Sequence, residues 1–222
     1  MQCLFMENMT IQNVNYYKES LKEYKKIRKE NGNKKPKLLL HVCCGACSCY
    51  PLIFLLDLFE ITIFFSNSNI YPSNEYEKRL DALKKYVLVI EKRFNTKIKI
   101  VEDTYNHEKF IRELIPFKNE PEGGKRCHKC ISLRMERLFE YAYENGYNLV
   151  TTVMSISRNK DVYYLNFIGK ELEKKYPNIR YFVNDFKKSG GQDVGVELSK
   201  VFNVYRQDYC GCEFSMKRDS YE

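Results

Sequence analysis

The chain has no apolar run long enough to cross a membrane. Its longest, Pro51 to Phe59, is broken by Asp57, whereas a spanning helix needs about 20 predominantly apolar residues. The opening "MQCLFMENMT" has no basic stretch followed by a sustained apolar segment, so it does not read as a secretory leader. No internal repeat or low-complexity tract stands out. A glycine-rich phosphate loop is missing after the first predicted strand, where a nucleotide-binding α/β enzyme carries one. Also missing is the Cys-x-x-x-Cys-x-x-Cys triplet of radical enzymes that use S-adenosylmethionine. These absences leave a cytosolic protein with no membrane partner and no ATP loop.

What the chain does have is sulfur and positive charge. It carries 9 cysteines in 222 residues, and four of them fall within "HVCCGACSCY", residues 41–50. In the cytosol such thiols act as metal ligands or redox groups rather than structural disulfides. The net charge is +8, from 37 basic against 29 acidic residues. That balance suits a polyanion such as RNA, though abundant lysine is also ordinary solvated surface.

At this length the chain fits one domain with an appendage. Residues 1–35 read as a helical extension and linker, with Thr10 as a cap and the helix closing near Asn31-Gly32. Residues 36–222 alternate strand and helix. "KLLLHV", "EITIFFS", "KIKIVE", "NLVTTVM" and "IRYFV" are the predicted strands. "SCYPLIFLLDLF", the segment from Ser73 to Phe94, "NHEKFIREL", "CISLRMERLFEYAYENG", "KDVYYLNFIGKELEKKY" and "VELSKVFNVY" are the predicted helices. This pattern predicts an α/β Rossmann-like domain, a parallel sheet of about five strands with helices on both faces. Ligands of such sheets bind at the carboxyl ends of the strands. Cys43 and Cys44 follow the first strand directly, so thiols occupy the place where a nucleotide enzyme puts its phosphate loop.

The sulfurs fall into three groups, the first being Cys43, Cys44, Cys47 and Cys49 after the first strand. Cys127 and Cys130 form a Cys-x-x-Cys at a helix start, beside Lys125, Arg126, His128 and Lys129, where the dipole and basic neighbours favour thiolates. Cys210 and Cys212 flank Gly211, which allows both sulfurs to face one point and suits a shared metal ion or a small-ring redox disulfide. Cys3 is isolated, and Cys49 reads as a small buried side chain. Adjacent Cys43 and Cys44 reach one metal ion awkwardly but can each take a corner of a cubane. Spacing therefore favours a [4Fe–4S] cluster over zinc. "SGGQD" at Ser189–Asp193 looks like a pyrophosphate loop, but its place near the C-terminus makes it a flexible glycine turn.

In order along the chain, "LLLHVCCGACS", "SNSNIYPSNEYEKR", "KRCHKCISLRMER", "TTVMSISRNK", "NDFKKSGGQ" and "YRQDYCGCEFS" resemble the cobalamin-independent epoxyqueuosine reductase family. The match runs from about Lys37 to Ser215. "CCGAC" stands where the family more often has Cys-Cys-Ala-Pro-Cys, and "FSNSNIYP" replaces a Tyr-Asn-Pro-Asn-type stretch. The resemblance implies reduction of epoxyqueuosine to queuosine at the wobble position of tRNA. It implies that Cys43, Cys44, Cys127 and Cys130 hold a [4Fe–4S] cluster. Cys47, Cys210 and Cys212 would form a second group holding a single iron, fed with electrons by the cluster and an external donor. Some relatives have Asp at the position of Cys47, which fits a ligand better than a disulfide partner.

Epoxide deoxygenation also needs protons, and Asp185, Tyr205 and Tyr209 are the candidate donors because they flank the site in sequence. Lys125, Arg126, Arg158, Lys160, Lys187, Lys188 and Arg206 lie beside strand-end loops and would meet anticodon phosphates. Tyr71 and Tyr76 would stack on bases. Two alternatives make different demands on the metal. A zinc-stabilised RNA-binding module expects zinc without sulfide, and a simple dithiol oxidoreductase expects no metal at all.

Overall fold

The structure, a computed structural model, describes residues 14–216. The proposed cap Thr10 and the isolated Cys3 lie outside that range. Helix α1 (Tyr16–Asn31) is capped by Asn15, whose side chain accepts from Lys18 N at 3.0 Å, and it ends at Gly32. It lies against the domain through buried Ile27 and through Arg28, which pairs with Asp57. None of the helices among the described residues is long and apolar enough to cross a membrane.

Five parallel strands form one sheet: β1 (Lys37–His41), β2 (Glu60–Phe65), β3 (Lys99–Glu102), β4 (Leu149–Thr152) and β5 (Arg180–Tyr181). Their order is β3-β2-β1-β4-β5. The sheet is covered on both faces, so its central strands read as continuous apolar runs. Leu38 and Leu40 point to one face, with Leu52, Leu55 and Ile90. Leu39 points to the other, with Phe64, Met135, Leu138 and Leu165. Helices α2 (Gly45–Leu56), α3 (Ser73–Phe94) and α7 (Gly191–Val201) cover the first face, and α5 (Lys125–Glu144) and α6 (Val162–Lys175) the second. The short α4 (His107–Arg112) follows β3. The expected Rossmann-like α/β architecture is present.

Chain direction out of the sheet reverses between β1 and β4, the switch point beside which ligands of open α/β sheets bind. Helices α1, α2, α5 and α7 start elsewhere than the sequence suggests, and α2 and α7 line this crevice. Helix α2 begins at Gly45 rather than Ser48, because Cys44 is extended and its sulfur accepts from Cys47 N at 3.2 Å, acting as the cap. Helix α5 begins at Lys125, so both Cys127 and Cys130 lie in its first turns. Helix α7 begins within "SGGQD": Gly190 takes the left-handed conformation (φ 77°), and Gly191 opens the helix.

Candidate metal centre and its cavity

Because α2 starts directly after Cys44, Cys47 sits one turn on from the cap and folds back over it. The sulfurs of Cys43, Cys44 and Cys47 all lie within 4.8 Å of one another. They share a buried electrostatic unit. Hydrogen bonds from Cys44 and Cys47 hold the Cys43 thiol well below its ordinary pKa. Cys44 is pushed up chiefly by burial, and Cys47 by its hydrogen bonds with the other two. Cys43 is therefore the first of the three to give up its proton, and the other two hold theirs more tightly. The Arg134 and Arg79 guanidiniums supply opposing positive charge. A fourth group also reaches the sulfurs: Gln207 Nε2 donates to Cys44 Sγ at 3.0 Å and approaches Cys47 Sγ at 3.7 Å.

Beneath the thiols His41 is fully buried at the end of β1. Its Nε2 lies 3.2 Å from the Ser66 carbonyl, which can only accept, and 3.5 Å from Arg134 Nη2, which can only donate; the shorter contact puts the proton on Nε2, and Nδ1 then accepts from Thr152 Oγ1 at 2.9 Å. Burial, with Arg134 beside it, lowers the His41 pKa to about 3. The ring is therefore a neutral brace. Arg134 is itself fixed by Asn67 Oδ1 at 2.7 Å, and Asn67 in turn holds the Val42 carbonyl at 2.8 Å.

Cys130, Cys210 and Cys212 act on one another electrostatically, with Lys160 among them. Lys160 Nζ lies 2.8 Å from Cys210 Sγ. Burial opposes the lysine charge, yet Cys210 and Cys130 raise its pKa above the ordinary value. Burial pushes Cys212 up to about 12, and Cys130 is also raised by burial. Cys127 is turned back on its own loop, with its sulfur accepting from Gly123 N at 3.2 Å. Cys49 is fully buried and packs in the core, its thiol on the Gly45 carbonyl.

The tail carrying Cys210 and Cys212 is clamped by α3. Arg79, 1% exposed, gives Nε to Glu75 Oε1 at 2.7 Å, Nη1 to the Cys210 carbonyl at 3.0 Å and Nη2 to the Tyr209 carbonyl at 3.2 Å. Gly211 passes this guanidinium so closely that a Cβ would meet Nη1 at 2.8 Å, and its φ of 111° suits glycine. Tyr205 donates to Glu75 Oε2 at 2.9 Å, and Tyr209 OH bonds the Tyr71 carbonyl.

A cavity of about 370 Å³ opens at the switch point, walled by Cys47, Ser157, Arg158, Asn159, Gln192, Arg206 and Gln207. It joins the segment after β1, the segment after β4, the start of α7 and the tail. Two of the anticipated RNA contacts, Arg158 and Arg206, lie at this cavity and are exposed, as are Lys125, Lys188 and Tyr71, although Arg206 Nη1 also donates to Ser199 Oγ at 3.0 Å. Others are engaged internally. Arg126 is buried against the Lys118 and Glu120 carbonyls and the Phe214 ring, Tyr76 is buried with its hydroxyl on Glu102, and Lys187 donates to the Lys160 carbonyl. Asp185 is buried, with one carboxylate oxygen unpartnered among the described residues, and burial raises its pKa.

The anticipated [4Fe–4S] ligand set is corrected by this geometry. Four thiolates converging on a cubane were expected from Cys43, Cys44, Cys127 and Cys130. Among the described residues, the three sulfurs that converge are Cys43, Cys44 and Cys47, a set suited to one metal ion. The cluster-plus-iron mechanism falls with it, and the single-ion centre is the one the zinc alternative anticipated. The reason is local: the cap geometry of Cys44 draws Cys47 to the first pair, a partnership that sequence spacing does not reveal. Gln207, Arg79 and Gln192 were missed as site residues. Gln207 stands inside the quoted "YRQDYCGC", while Arg79 looks like a surface charge on a helix.

Thiols gathered at the switch point of a five-stranded parallel sheet, beside a polar cavity, define a thiol-based α/β enzyme. A family model described as "Epoxyqueuosine reductase QueH" matches residues 38–218. Proteins of that same description are similar throughout. The one from Staphylococcus aureus is 36% identical over 183 residues, covering 82% of this chain and 76% of its own. That from Streptococcus pyogenes is 33% identical over 188 residues (85% and 73%), and that from Thermotoga maritima 35% over 180 residues (81% and 90%). A solved structure, the U34-tRNA thiolase NcsA from Methanococcus maripaludis with its [4Fe-4S] cluster, aligns with a TM-score of 0.49 at 16% identity over 90% of this chain and 69% of its own, too distant to bear on the site. The chain belongs to the QueH epoxyqueuosine reductase family, and it is an enzyme of that family.

Proposed function

We propose that this enzyme removes the epoxide oxygen of epoxyqueuosine in tRNA at a single-metal centre held by Cys43, Cys44 and Cys47. The observation that carries this reading is the convergence of three sulfurs within 4.8 Å, with Cys47 in the wall of the switch-point cavity. The donor set fits a borderline-soft ion such as zinc, and three protein ligands leave a coordination position open, as catalytic zinc sites do. A bound ion there supplies Lewis acidity toward an epoxide oxygen.

The chain's own groups would do the rest. Arg134 and Arg79 balance the thiolate charge, and Gln207 fixes the sulfurs. Converting an epoxide to an alkene consumes two electrons and two protons and releases water. The electrons come from an external donor, and Asp185, whose buried carboxyl is raised, is the proton source this reading prefers over Tyr205 and Tyr209, which are tied to Glu75 and to the Tyr71 carbonyl. Lys125, Arg158, Lys188 and Arg206 meet the phosphates of the anticodon arm, and Tyr71, 42% exposed, stacks on a base.

The test is metal and sulfide analysis of protein purified without oxygen, together with turnover of epoxyqueuosine-containing tRNA by the wild type and Cys47→Ser. About one ion per chain, no acid-labile sulfide, and loss of both ion and turnover in Cys47→Ser are expected. Stoichiometric sulfide, or full turnover by Cys47→Ser, would sink the single-metal reading.

A further inference from the structure

Gln207 is the one cavity residue that touches the thiols through a side-chain amide, and only half of that amide is used. Sulfur accepts hydrogen bonds, so the NH2 end faces Cys44 and Cys47, at 3.0 and 3.7 Å. The carbonyl end, Oε1, is then aimed away. It is buried and has no hydrogen-bond partner among the described residues. A buried acceptor is costly unless something donates to it. The cavity that Gln207 lines is large enough for a small ligand, at about 370 Å³. Gln192 on the first turn of α7 and Asn159 after β4 add neutral polar groups, and Arg158 and Arg206 stand exposed.

We infer that Gln207 is a positioning residue that links substrate to thiol centre, its NH2 fixing the Cys44 and Cys47 sulfurs while Oε1 accepts an O–H or N–H from the epoxide-bearing part of the modified base. The cavity is the subsite for that base. Its neutral amide walls read the base, and the two arginines hold the phosphates that flank it. This inference rests on the proposed function, because it needs a base carrying the epoxide. It adds a reading group at a residue that is neither an anticipated ligand nor an anticipated phosphate contact. The division of labour is chemical: a base buried in the cavity is recognised by directional donors and acceptors, whereas a phosphate is recognised by charge.

Two measurements separate this role from mere support of the fold. The first is the sulfur-to-metal charge-transfer band of protein loaded with cobalt(II). The second is the binding preference for tRNA bearing epoxyqueuosine over the same tRNA bearing unmodified guanine. In Gln207→Ala the charge-transfer band shifts, because an N–H donor to sulfur is lost. The preference falls by about tenfold, the loss expected for one well-placed hydrogen bond. Arg158→Ala weakens both tRNAs equally and leaves the preference intact. If Gln207→Ala does not fold, Gln192→Ala, in the wall that α7 supplies, carries the same expectation for the preference.

The outcomes distinguish the two layers. A wild type with no preference for epoxyqueuosine removes the proposed function, and this inference with it. A wild type with the preference, retained undiminished in Gln207→Ala and Gln192→Ala, leaves the proposed function standing and overturns the subsite. An unmoved cobalt band in Gln207→Ala overturns the link to sulfur.

Discussion

Replacing Arg79 with methionine keeps most of the buried alkyl volume and deletes the guanidinium donors that hold the Cys210 and Tyr209 carbonyls of the tail to α3. In the native protein the guanidinium is 1% exposed and serves three acceptors: Glu75 Oε1 at 2.7 Å, the Cys210 carbonyl at 3.0 Å and the Tyr209 carbonyl at 3.2 Å. Glu75 is 6% exposed and keeps only the Tyr205 hydroxyl at 2.9 Å once Arg79 is gone. A buried ion pair broken on one side costs about 3–5 kcal/mol, because the remaining charge is stranded. The two tail carbonyls would add to this if they stayed buried. They can lift off and meet water instead, so the total stays within the same range.

That loss is a large part of a typical stability of about 5–15 kcal/mol, and urea unfolding reads it directly. The reasoning also fixes where the damage falls. The segment around Tyr205–Met216 should become the first cut in limited proteolysis, while the sheet stays protected. Adding Glu75→Gln to Arg79→Met removes the stranded charge and should recover more than about 1 kcal/mol of the deficit, a non-additivity expected of direct partners. Should Arg79→Met lose less than about 1 kcal/mol and leave the tail as protease-resistant as before, the clamp is not what holds Cys210 and Cys212 in place.

Three further outcomes follow from the titrating groups. His41 stays neutral in the fold down to about pH 3 but takes a proton near pH 6.5 when unfolded, so its contribution is intact above 6.5 and is lost as pH falls toward 3. The loss runs at roughly 1.4 kcal/mol per pH unit, and His41→Gln should flatten the acid limb of a stability–pH curve; an unchanged limb would count against the neutral brace. Lys160→Met removes the donor that holds Cys210 Sγ at 2.8 Å, so the rate of Cys210 alkylation, read by peptide mass spectrometry, should change severalfold, and an equal rate would refute the contact as a restraint on that sulfur. Zinc added to metal-free protein in weak buffer should release fewer than three protons per ion, because Cys43 is held well below its ordinary pKa; release of none or of three contradicts the shared hydrogen-bonded arrangement.

The fold was legible because it depends on local runs. "KLLLHV" and "EITIFFS" are apolar throughout, as strands buried on both faces must be, and the helices between them keep a clear period. What escaped were boundaries decided by single hydrogen bonds. Cys44 does not look like a helix cap, since thiols are weak acceptors, yet it caps α2 and moves the start of that helix three residues earlier than expected. The site was legible as composition and illegible as partition. Sequence named the sulfurs of the switch-point loops but not their company. Lys160 and Arg126 read as surface charge; the fold buries Lys160 against a thiol and Arg126 against loop carbonyls. Burial of a long cation is set by what meets it from distant segments, and no local pattern encodes that.

The same boundary explains why the thiol centre carries negative charge before any ion arrives. Starting α2 at Gly45 places Cys43, Cys44 and Cys47 at the positive end of a helix, where an anion is favoured by the unpaired N–H groups. Arg134 approaches from α5 and Arg79 from α3, each fixed by its own buried acceptor rather than by the sulfurs. Loss of the Cys43 proton is favoured by this field, and loss of a second or third is resisted by burial and by the first. A cation held by the three sulfurs would remove that resistance by taking the place of the protons that remain. Had α2 begun at Ser48, as its sequence suggests, Cys47 would lie outside the helix and away from its capping bond. The three sulfurs would then lack the geometry that brings them within 4.8 Å of one another.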